Sequence, residues 1–329
     1  MKHLFQTILN YTSILAVLTA STITILSLIS AAARYWWLGE LLSQPRPQYA
    51  LALVLCLPLV VWRLRRAGRL ILIPLLLNLY TFTPLYLPPS TDPGLVSREY
   101  SALHYNLDRT LSDQEPAFAY LREHPVDILS LQEVTPEIAS RLERDLPGYF
   151  VAYSHPMKNS HGSAVLISVK SGILVRSAGI IHLPEYSVRP LIEVTLEIQG
   201  YSIAFLNLHS IRPVSQWNVE FQQIEFASAA EWSRQRQEQG QAVMMMGDIN
   251  STPWSRNFRQ FQEAGQLLNS EQGFGLEPTW PAGFPSLFTI PIDHCFHSSE
   301  IQIVKRFTGP FLGSDHAPLH IHFTLTDGQ

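Results

Sequence analysis

The hydrophobic pattern changes character near residue 90. From Leu4 to Ala33 there are 30 residues without an acidic or basic side chain, and about 20 helical residues suffice to cross a bilayer core. A second uncharged run, Pro47 to Trp62, holds 16 residues, and a third, Leu70 to Thr91, holds 22. Three helical spans are predicted, the middle one short and the third kinked or ended by Pro74, Pro84 and the Pro88-Pro89 pair. After the breaker cluster Thr91-Asp92-Pro93-Gly94 the apolar runs shorten. Tyr100 to Asn106, Val126 to Gln132, Ser163 to Val169, Leu191 to Ile198 and Tyr201 to Leu208 read as strands. So do Ala242 to Met246, Ile292 to Phe296, Ile301 to Phe307 and Leu319 to Thr324. Helices are predicted over Glu115 to His124, Pro136 to Leu146 and Val214 to Gln239, the last from the helical spacing of Trp217, Phe221, Ile224 and Ala227. Asn269 to Pro291, rich in Gly, Pro and aromatics, reads as a long loop.

The chain therefore divides into a helical transmembrane region at 1–90, a linker at 91–98 and an α/β domain at 99–326. Helices interspersed with strands joined by short turns predict a mixed-sheet sandwich with helices outside, not a simple doubly wound parallel sheet. Charge follows the same division. Before Arg98 there are seven Lys/Arg and two Asp/Glu, which leaves 16 and 25 of the chain's 23 and 27 for the rest. The first part is net +5 and the second net −9. Cytoplasmic loops retain Lys and Arg. Arg63, Arg65, Arg66 and Arg69 between spans two and three thus place that loop and the amino terminus inside. Tyr35, Trp36 and Trp37 then lie at the outer interface, and the C-terminal domain is expected outside the cytoplasm, periplasmic or extracellular. A cleaved signal peptide is the competing reading of the start, because Lys2 precedes an apolar run and Ala31-Ala32-Ala33 offers a small-residue cleavage site. The run is long for that role, and the later two spans would still anchor the chain. A buried soluble helical hairpin is the other alternative. Cys56 and Cys295 fall in different parts, so no disulfide within the C-terminal domain is expected.

Candidate chemistry lies where polar residues interrupt strand-like runs. Asn106, Glu133 and His209 each end or follow an apolar strand; Asp248 and Asn250 follow Val243-Met244-Met245-Met246-Gly247; Asp293 interrupts Ile290 to Phe296; and Ser314-Asp315-His316 precedes the last strand. Ligands bind beyond strand ends in α/β sheets. Singly, each has a bland reading as a turn residue, a solvated carboxylate or a half-buried histidine. Jointly they supply hard oxygens at Glu133 and Asp315 that suit Mg²⁺ or Mn²⁺. They also supply a carboxylate and an amide two residues apart, and an imidazole at His316 that Asp293 could orient.

The ordered set Asn106, Gln132-Glu133, His209, Gly247-Asp248-Ile249-Asn250, Asp293 and Ser314-Asp315-His316 resembles the endonuclease/exonuclease/phosphatase (DNase I-like) superfamily of metal-dependent hydrolases. The resemblance covers nearly all of 99–324. It implies a four-layer α/β sandwich of two mixed β-sheets flanked by helices, with the site at one edge. It also implies residue roles: Glu133, Asn106 and Asp315 for Mg²⁺ (or Mn²⁺), Asp248 for the attacking water, Asn250 for the phosphate, and His209 and His316, the latter held by Asp293, for the phosphoryl oxygens. The reaction implied is in-line hydrolysis of a phosphate ester. Leu208-His209-Ser210 departs from the family's frequent Thr-His-Leu but keeps the histidine. Arg189 is a further candidate phosphate contact, with a plain surface arginine as its alternative. His155 and His161 receive no role, and His320 and His322 are expected to be structural or exposed.

Substrate class follows only in outline. Nonspecific nucleic-acid binding normally needs clustered cations, whereas the domain is net −9 and Arg256, Arg259, Lys305 and Arg306 form no stripe. A phosphate ester near the lipid bilayer, such as a phospholipid head group, is favoured over nucleic acid. An anchored nuclease is the runner-up, and a non-catalytic binding module is the third reading. Phe274, Trp280, Phe284 and Phe288 form either a packed loop or an edge that touches lipid.

Overall fold

The computed structural model describes residues 1–33, 36–88 and 98–326. Tyr35 and the Thr91–Gly94 cluster lie outside the described residues. The helical region contains α1 (Lys2–Ala31), α2 (Trp37–Ser43), α3 (Arg46–Leu64) and α4 (Leu72–Phe82), the last flanked by 3₁₀ turns. Three segments, Lys2–Ala31, Arg46–Leu64 and Ala67–Tyr86, are long and apolar enough to cross a membrane. They match the three runs read from sequence, while α2 was not anticipated.

The remainder runs β1 (Tyr100–Asn106), α5 (Glu115–Glu123), β2 (Ile128–Gln132), α6 (Pro136–Asp145), β3 (Tyr149–His155), β4 (Ser163–Ser168), β5 (Leu174–His182), β6 (Pro190–Ile198) and β7 (Tyr201–Asn207). It continues with α7 (Gln216–Glu238), β8 (Ala242–Asp248), α8 (Arg256–Ala264), β9 (Leu268–Asn269), β10 (Asp293–His297), β11 (Ile301–Thr308) and β12 (Leu319–Leu325). The strands form two six-stranded sheets, ordered β11-β12-β1-β2-β4-β3 and β5-β6-β7-β8-β10-β9. Among the described residues, only β1/β2 and β7/β8 pair in parallel. This is the four-layer sandwich expected.

Period-two alternation builds the layers. Ala102, Ile128, Val165 and Ile321 of one sheet meet Val194, Phe205, Met244 and Cys295 of the other in the central core. The intervening residues Leu103, Tyr105, Leu129 and Leu131 pack under α5 and α6, and Leu206, Val243 and Met245 under α7 and α8. Helix α7 forms as the spacing predicts, but the residues that set the spacing are not its buried face: Trp217 and Ile224 are 61% and 41% exposed. The buried face carries Val219, Gln222, Glu225, Phe226, Ala229, Ala230, Trp232 and Ser233.

The helical region docks on the sandwich through α2 and the loop after β8. The Trp254 indole N–H donates to the carbonyls of Ser43 and Gln44, at 2.9 and 3.0 Å, and Gln44 Oε1 accepts the Thr252 amide at 3.0 Å. These carbonyls end α2 and would otherwise lack partners in a buried seam. Burial raises the Glu40 carboxyl, and the Ser255 hydroxyl and the Asn257 and Arg256 amides at the start of α8 counter that effect. Trp254 also packs edge-on against Phe82 of α4, with centroids 6.2 Å apart. Trp254→Phe keeps the ring contact but strands two buried acceptors. It should destabilise the full-length protein by about 1–3 kcal/mol, read as a melting temperature lower by a few degrees in detergent.

Candidate active site

The inner-face stripe of each sheet turns polar at one end of the sandwich. Along β1 the inward phase runs Ala102, His104, Asn106; along β2 it runs Ile128, Ser130, Gln132; along β7, Ile203, Phe205, Asn207; along β8, Met244, Met246, Asp248. Strand β10 enters from the same end with Asp293 before Cys295. Registers place these positions side by side, with Asn106 opposite Gln132 and Asp248 opposite Asp293.

A seam of buried hydrogen bonds joins the sheets there. Gln132 Nε2 donates to Asn207 Oδ1 and the Leu208 carbonyl, at 2.7 and 3.0 Å, and its Oε1 accepts the Asp248 amide at 3.1 Å. Asn207 returns a bond to the Leu131 carbonyl at 3.0 Å. Gly247 has no alternative in this seam, since a Cβ would collide with the Leu208 carbonyl oxygen and press on the Gln132 amide. Glu133 and Asn250, the residues just past β2 and β8 (Glu133 directly, Asn250 two on), adopt φ values of 58° and 53°. A left-handed Glu costs about 1–3 kcal/mol unless its surroundings impose it, and here the turn directs the carboxylate across to the Arg109 amide at 3.1 Å.

Asp293 is the centre of the electrostatics. Its Oδ2 binds His316 Nδ1 at 2.8 Å and its Oδ1 binds His104 Nε2 at 3.0 Å, all fully buried. Burial works against its ionisation, but His316 above all, with His104, holds the carboxyl well below its usual range. Burial likewise opposes a charge on His316; the carboxylates of Asp293 and Asp248 override it and push the imidazole up to about 10. His316 Nε2 is buried without a hydrogen-bond partner, 3.6 Å from Asp248 Oδ2 and 3.9 Å from Asp315 Oδ1. Burial, opposed by His316, raises Asp248 to about 7. Asp248 Oδ1 accepts the Asn250 amide at 2.9 Å, and Asn250 Nδ2 donates to the Ser210 carbonyl at 3.0 Å.

The other anticipated residues surround this core. His209 Nε2 lies 3.8 Å from Asp248 Oδ2, and Asn106 Nδ2 lies 3.5 Å from the same oxygen. Asp315 is half exposed and accepts the Trp280 indole N–H at 3.0 Å. All eight candidate residues thus lie at one end of the sandwich. Arg189 is no ordinary surface arginine: it pairs with Glu225 of α7 at 3.1 Å and donates to His161 Nε2 at 2.8 Å and the His209 carbonyl at 3.2 Å. Burial and Arg189 lower His161 to about 4, so it is neutral and free to accept that bond. His104 was not among the candidates; its place two residues before Asn106, in the same inward phase, was the available signal. His320 stacks on Phe307 and meets the Tyr120 hydroxyl, while His322 pairs with Glu99 at the surface, both away from the cleft.

Two donor sets could gather a cation. Asp248, Asp293 and His316 bring ligand atoms within 4.8 Å of one another. Asp293 is committed to two imidazoles, and a cation seated there would have to displace its hydrogen bond to His316. Glu133, Asn106 and Asp315 carry oxygens at the same end of the sandwich, where they accept the Arg109 amide, the Asp108 amide and the Trp280 indole N–H, and hard oxygens suit Mg²⁺ or Mn²⁺. An ion held by that set would leave the His316–Asp293 pair intact. The His316–Asp293 pair contributes fully between about pH 3.8 and 6.5; that contribution is lost as pH rises through about 10, where His316 deprotonates, and in acid as pH falls below the usual carboxylate range and Asp293 is protonated. In chelator-treated protein, ¹⁵N-histidine spectra should show His316 protonated until about pH 10. Asp293→Asn should bring its titration below 6.5, because burial then acts with less opposition. Titration near 6.5 in the parent would contradict the assignment.

The sequence model of the endonuclease/exonuclease/phosphatase family matches residues 103–316. No curated protein matches the sequence significantly. Solved structures share the fold. One is an endonuclease/exonuclease/phosphatase from Bacteroides vulgatus, 15% identical with a TM-score of 0.58, covering 70% of this chain and 100% of that one. Another is TDP2 of D. rerio complexed with single strand DNA product, 16% identical with a TM-score of 0.55, covering 69% and 100%. Truncated TDP2 of Caenorhabditis elegans is 19% identical with a TM-score of 0.55, covering 68% and 97%. The family match runs from the first strand of the sandwich to His316, well over half of the chain, and the protein belongs to the endonuclease/exonuclease/phosphatase family.

Proposed function

We propose that the protein is a membrane-anchored, Mg²⁺-dependent phosphoric ester hydrolase, with Mn²⁺ as a workable substitute. The observation that carries this reading is the buried His316, held by Asp293 at 2.8 Å, whose Nε2 has no partner and lies 3.6 Å from Asp248 Oδ2. The carboxylates of Asp293 and Asp248 favour its charged form against burial, and a fixed donor of that kind suits the charge that develops in a phosphoryl-transfer transition state. His316 and His209 would stabilise the phosphoryl oxygens, and Asn250 would orient the ester. Asp248 would accept the proton of the attacking water, with its carboxyl already held in place by the Asn250 amide. Glu133, Asn106 and Asp315 would hold the divalent ion, which when bound would neutralise phosphate charge. Water then attacks phosphorus in line, the P–O bond to the leaving group breaks, and positioning supplies much of the rate.

Anchoring and orientation are supported by the layout of the helices. Helices α1, α3 and α4 run alternately up and down. Arg46 of α3 reaches Asn78 of α4, and Asn78 reaches Ser27 of α1, all at the end that meets the sandwich. Arg63, at the opposite end of α3, bonds Asn10 near the start of α1. The basic loop of Arg65, Arg66 and Arg69 is therefore on the far side of the helices from the cleft, some 28 Å away for a helix of 19 residues. If that loop is cytoplasmic, the catalytic domain is outside the cytoplasm. The reading as a nuclease has its own support, because a D. rerio protein of the same fold was solved with a single strand DNA product. The net charge of −9 on the domain weighs against it.

Purified full-length protein should hydrolyse bis(4-nitrophenyl) phosphate or a related ester with Mg²⁺ or Mn²⁺ and lose that activity in EDTA. Asp248→Ala and His316→Ala should each lower kcat at least ~100-fold. Metal-independent turnover, or parental rates in both variants, would refute the mechanism. Glu133→Gln should raise the Mg²⁺ concentration for half-maximal rate about 10- to 100-fold.

A further inference from the structure

The strand registers put every loop of the cleft at one end of the sandwich. Strands β1, β2, β5, β7 and β8 finish there, and β6, β10 and β12 begin there. The same loops carry large apolar side chains in solvent: Tyr186 and Val188 before β6, Phe284, Leu287 and Phe288 before β10, and Phe311 before β12. Phe284 and Phe288 are 63% and 62% exposed. Two of these loops touch, since the Phe311 ring lies against Gly283. They also border the site, since the Ala282 amide donates to the Asp315 carbonyl at 2.7 Å. Contiguous exposed apolar surface around a cleft marks an interaction face.

The helical region identifies what covers it. Gln48, in the first turn of α3, donates to the Thr289 carbonyl at 2.9 Å, one residue from Phe288. Pro47, Gln48, Trp254 and Leu287 line a shared cavity of about 320 Å³. At the end of the third apolar segment, the Leu85 carbonyl accepts the amides of Gly273 and Gly275. The points where two apolar helices meet the sandwich are thus on the loops that carry the exposed rim. Leu287 and Phe288 are two residues and one residue from the Thr289 contact with the first turn of α3.

We propose that this rim rests in the head-group layer of the leaflet from which the helices emerge, so that the cleft opens onto lipid and its substrate is a phosphate ester borne by a membrane lipid. The proposal rests on the hydrolase reading above and adds the substrate's location. Aromatic side chains are favoured at that depth, where one side is apolar and the other wet. A lipid head group then reaches His316 by lateral diffusion, and a domain of net −9 needs no cationic stripe to collect it.

The test uses the full chain, Cys56→Ser background, in vesicles of phosphatidylcholine, phosphatidylethanolamine and phosphatidylglycerol. An environment-sensitive fluorophore placed by Phe288→Cys should be blue-shifted and quenched by spin-labelled lipid, and the same label placed by Gln199→Cys, in the β6–β7 turn at the opposite end, should not. Phe284→Ser with Phe288→Ser should slow release of water-soluble phosphate compounds from the vesicles at least tenfold while leaving bis(4-nitrophenyl) phosphate turnover within twofold. An aqueous spectrum at position 288, equal lipid turnover by parent and double variant, or turnover of soluble esters with no lipid product would overturn the proposal. Failure of the parent on bis(4-nitrophenyl) phosphate would instead strike the hydrolase reading.

Discussion

A buried carboxylate bound by two imidazoles, Asp293 between His104 and His316, is the constraint around which the site end of the sandwich is arranged. Asp293 belongs to one sheet, His104 to the other, and His316 to the loop entering β12, so a single ionised group ties three chain segments. A buried charge pair is poor value as pure stabilisation, while removing one partner typically costs about 3–5 kcal/mol. Its worth here is positional. The pair fixes the charge state and direction of His316, and through it the electrostatics of Asp248. Gln132 and Asn207 repeat the device without charge, closing the seam by amide bonds that leave Gly247 no room for a side chain.

The helical region contributes more than attachment. Trp254 and Thr252 belong to the segment that follows Asp248 and Asn250, and both bond to the end of α2. The loop bearing Asn250 is therefore clamped between the sheet and the helices. The helices, the apolar loops and the candidate site thus share one end of the sandwich.

Much of this was legible in the sequence because strand ends announce themselves: an apolar alternation that ends in Asn, Gln or Asp in the inward phase points at a polar site. Asn106, Asp248 and Asp293 were found that way, and the structure gathers them. The edge strands β3 and β5 escaped because edges are half exposed on both faces and lose the alternation. Helix α8 escaped because two aromatics, Phe258 and Phe261, carry its packing over only nine residues. On α7 the conspicuous apolar stripe is the exposed one, because the buried face mixes Phe226 and Trp232 with Gln222, Glu225 and Ser233, whose polar groups find partners that no hydrophobic spacing records. His104 and Arg189 were harder, because their meaning lies in partners nearly 190 residues away for one and on α7 for the other. No local pattern encodes such pairing.

In the proposed mechanism, polar strand ends from two sheets meet around one divalent ion and one phosphate, with the His316–Asp293 pair kept intact. Anomalous diffraction from crystals of the full-length protein soaked in Mn²⁺ and inorganic phosphate tests this most directly. The expected peak is about 2.0–2.3 Å from a Glu133 carboxylate oxygen, with a phosphate oxygen in hydrogen-bond range of His316 Nε2. Manganese seated between Asp293 and His316 in place of their hydrogen bond, or ordered phosphate with no metal at Glu133, would contradict it.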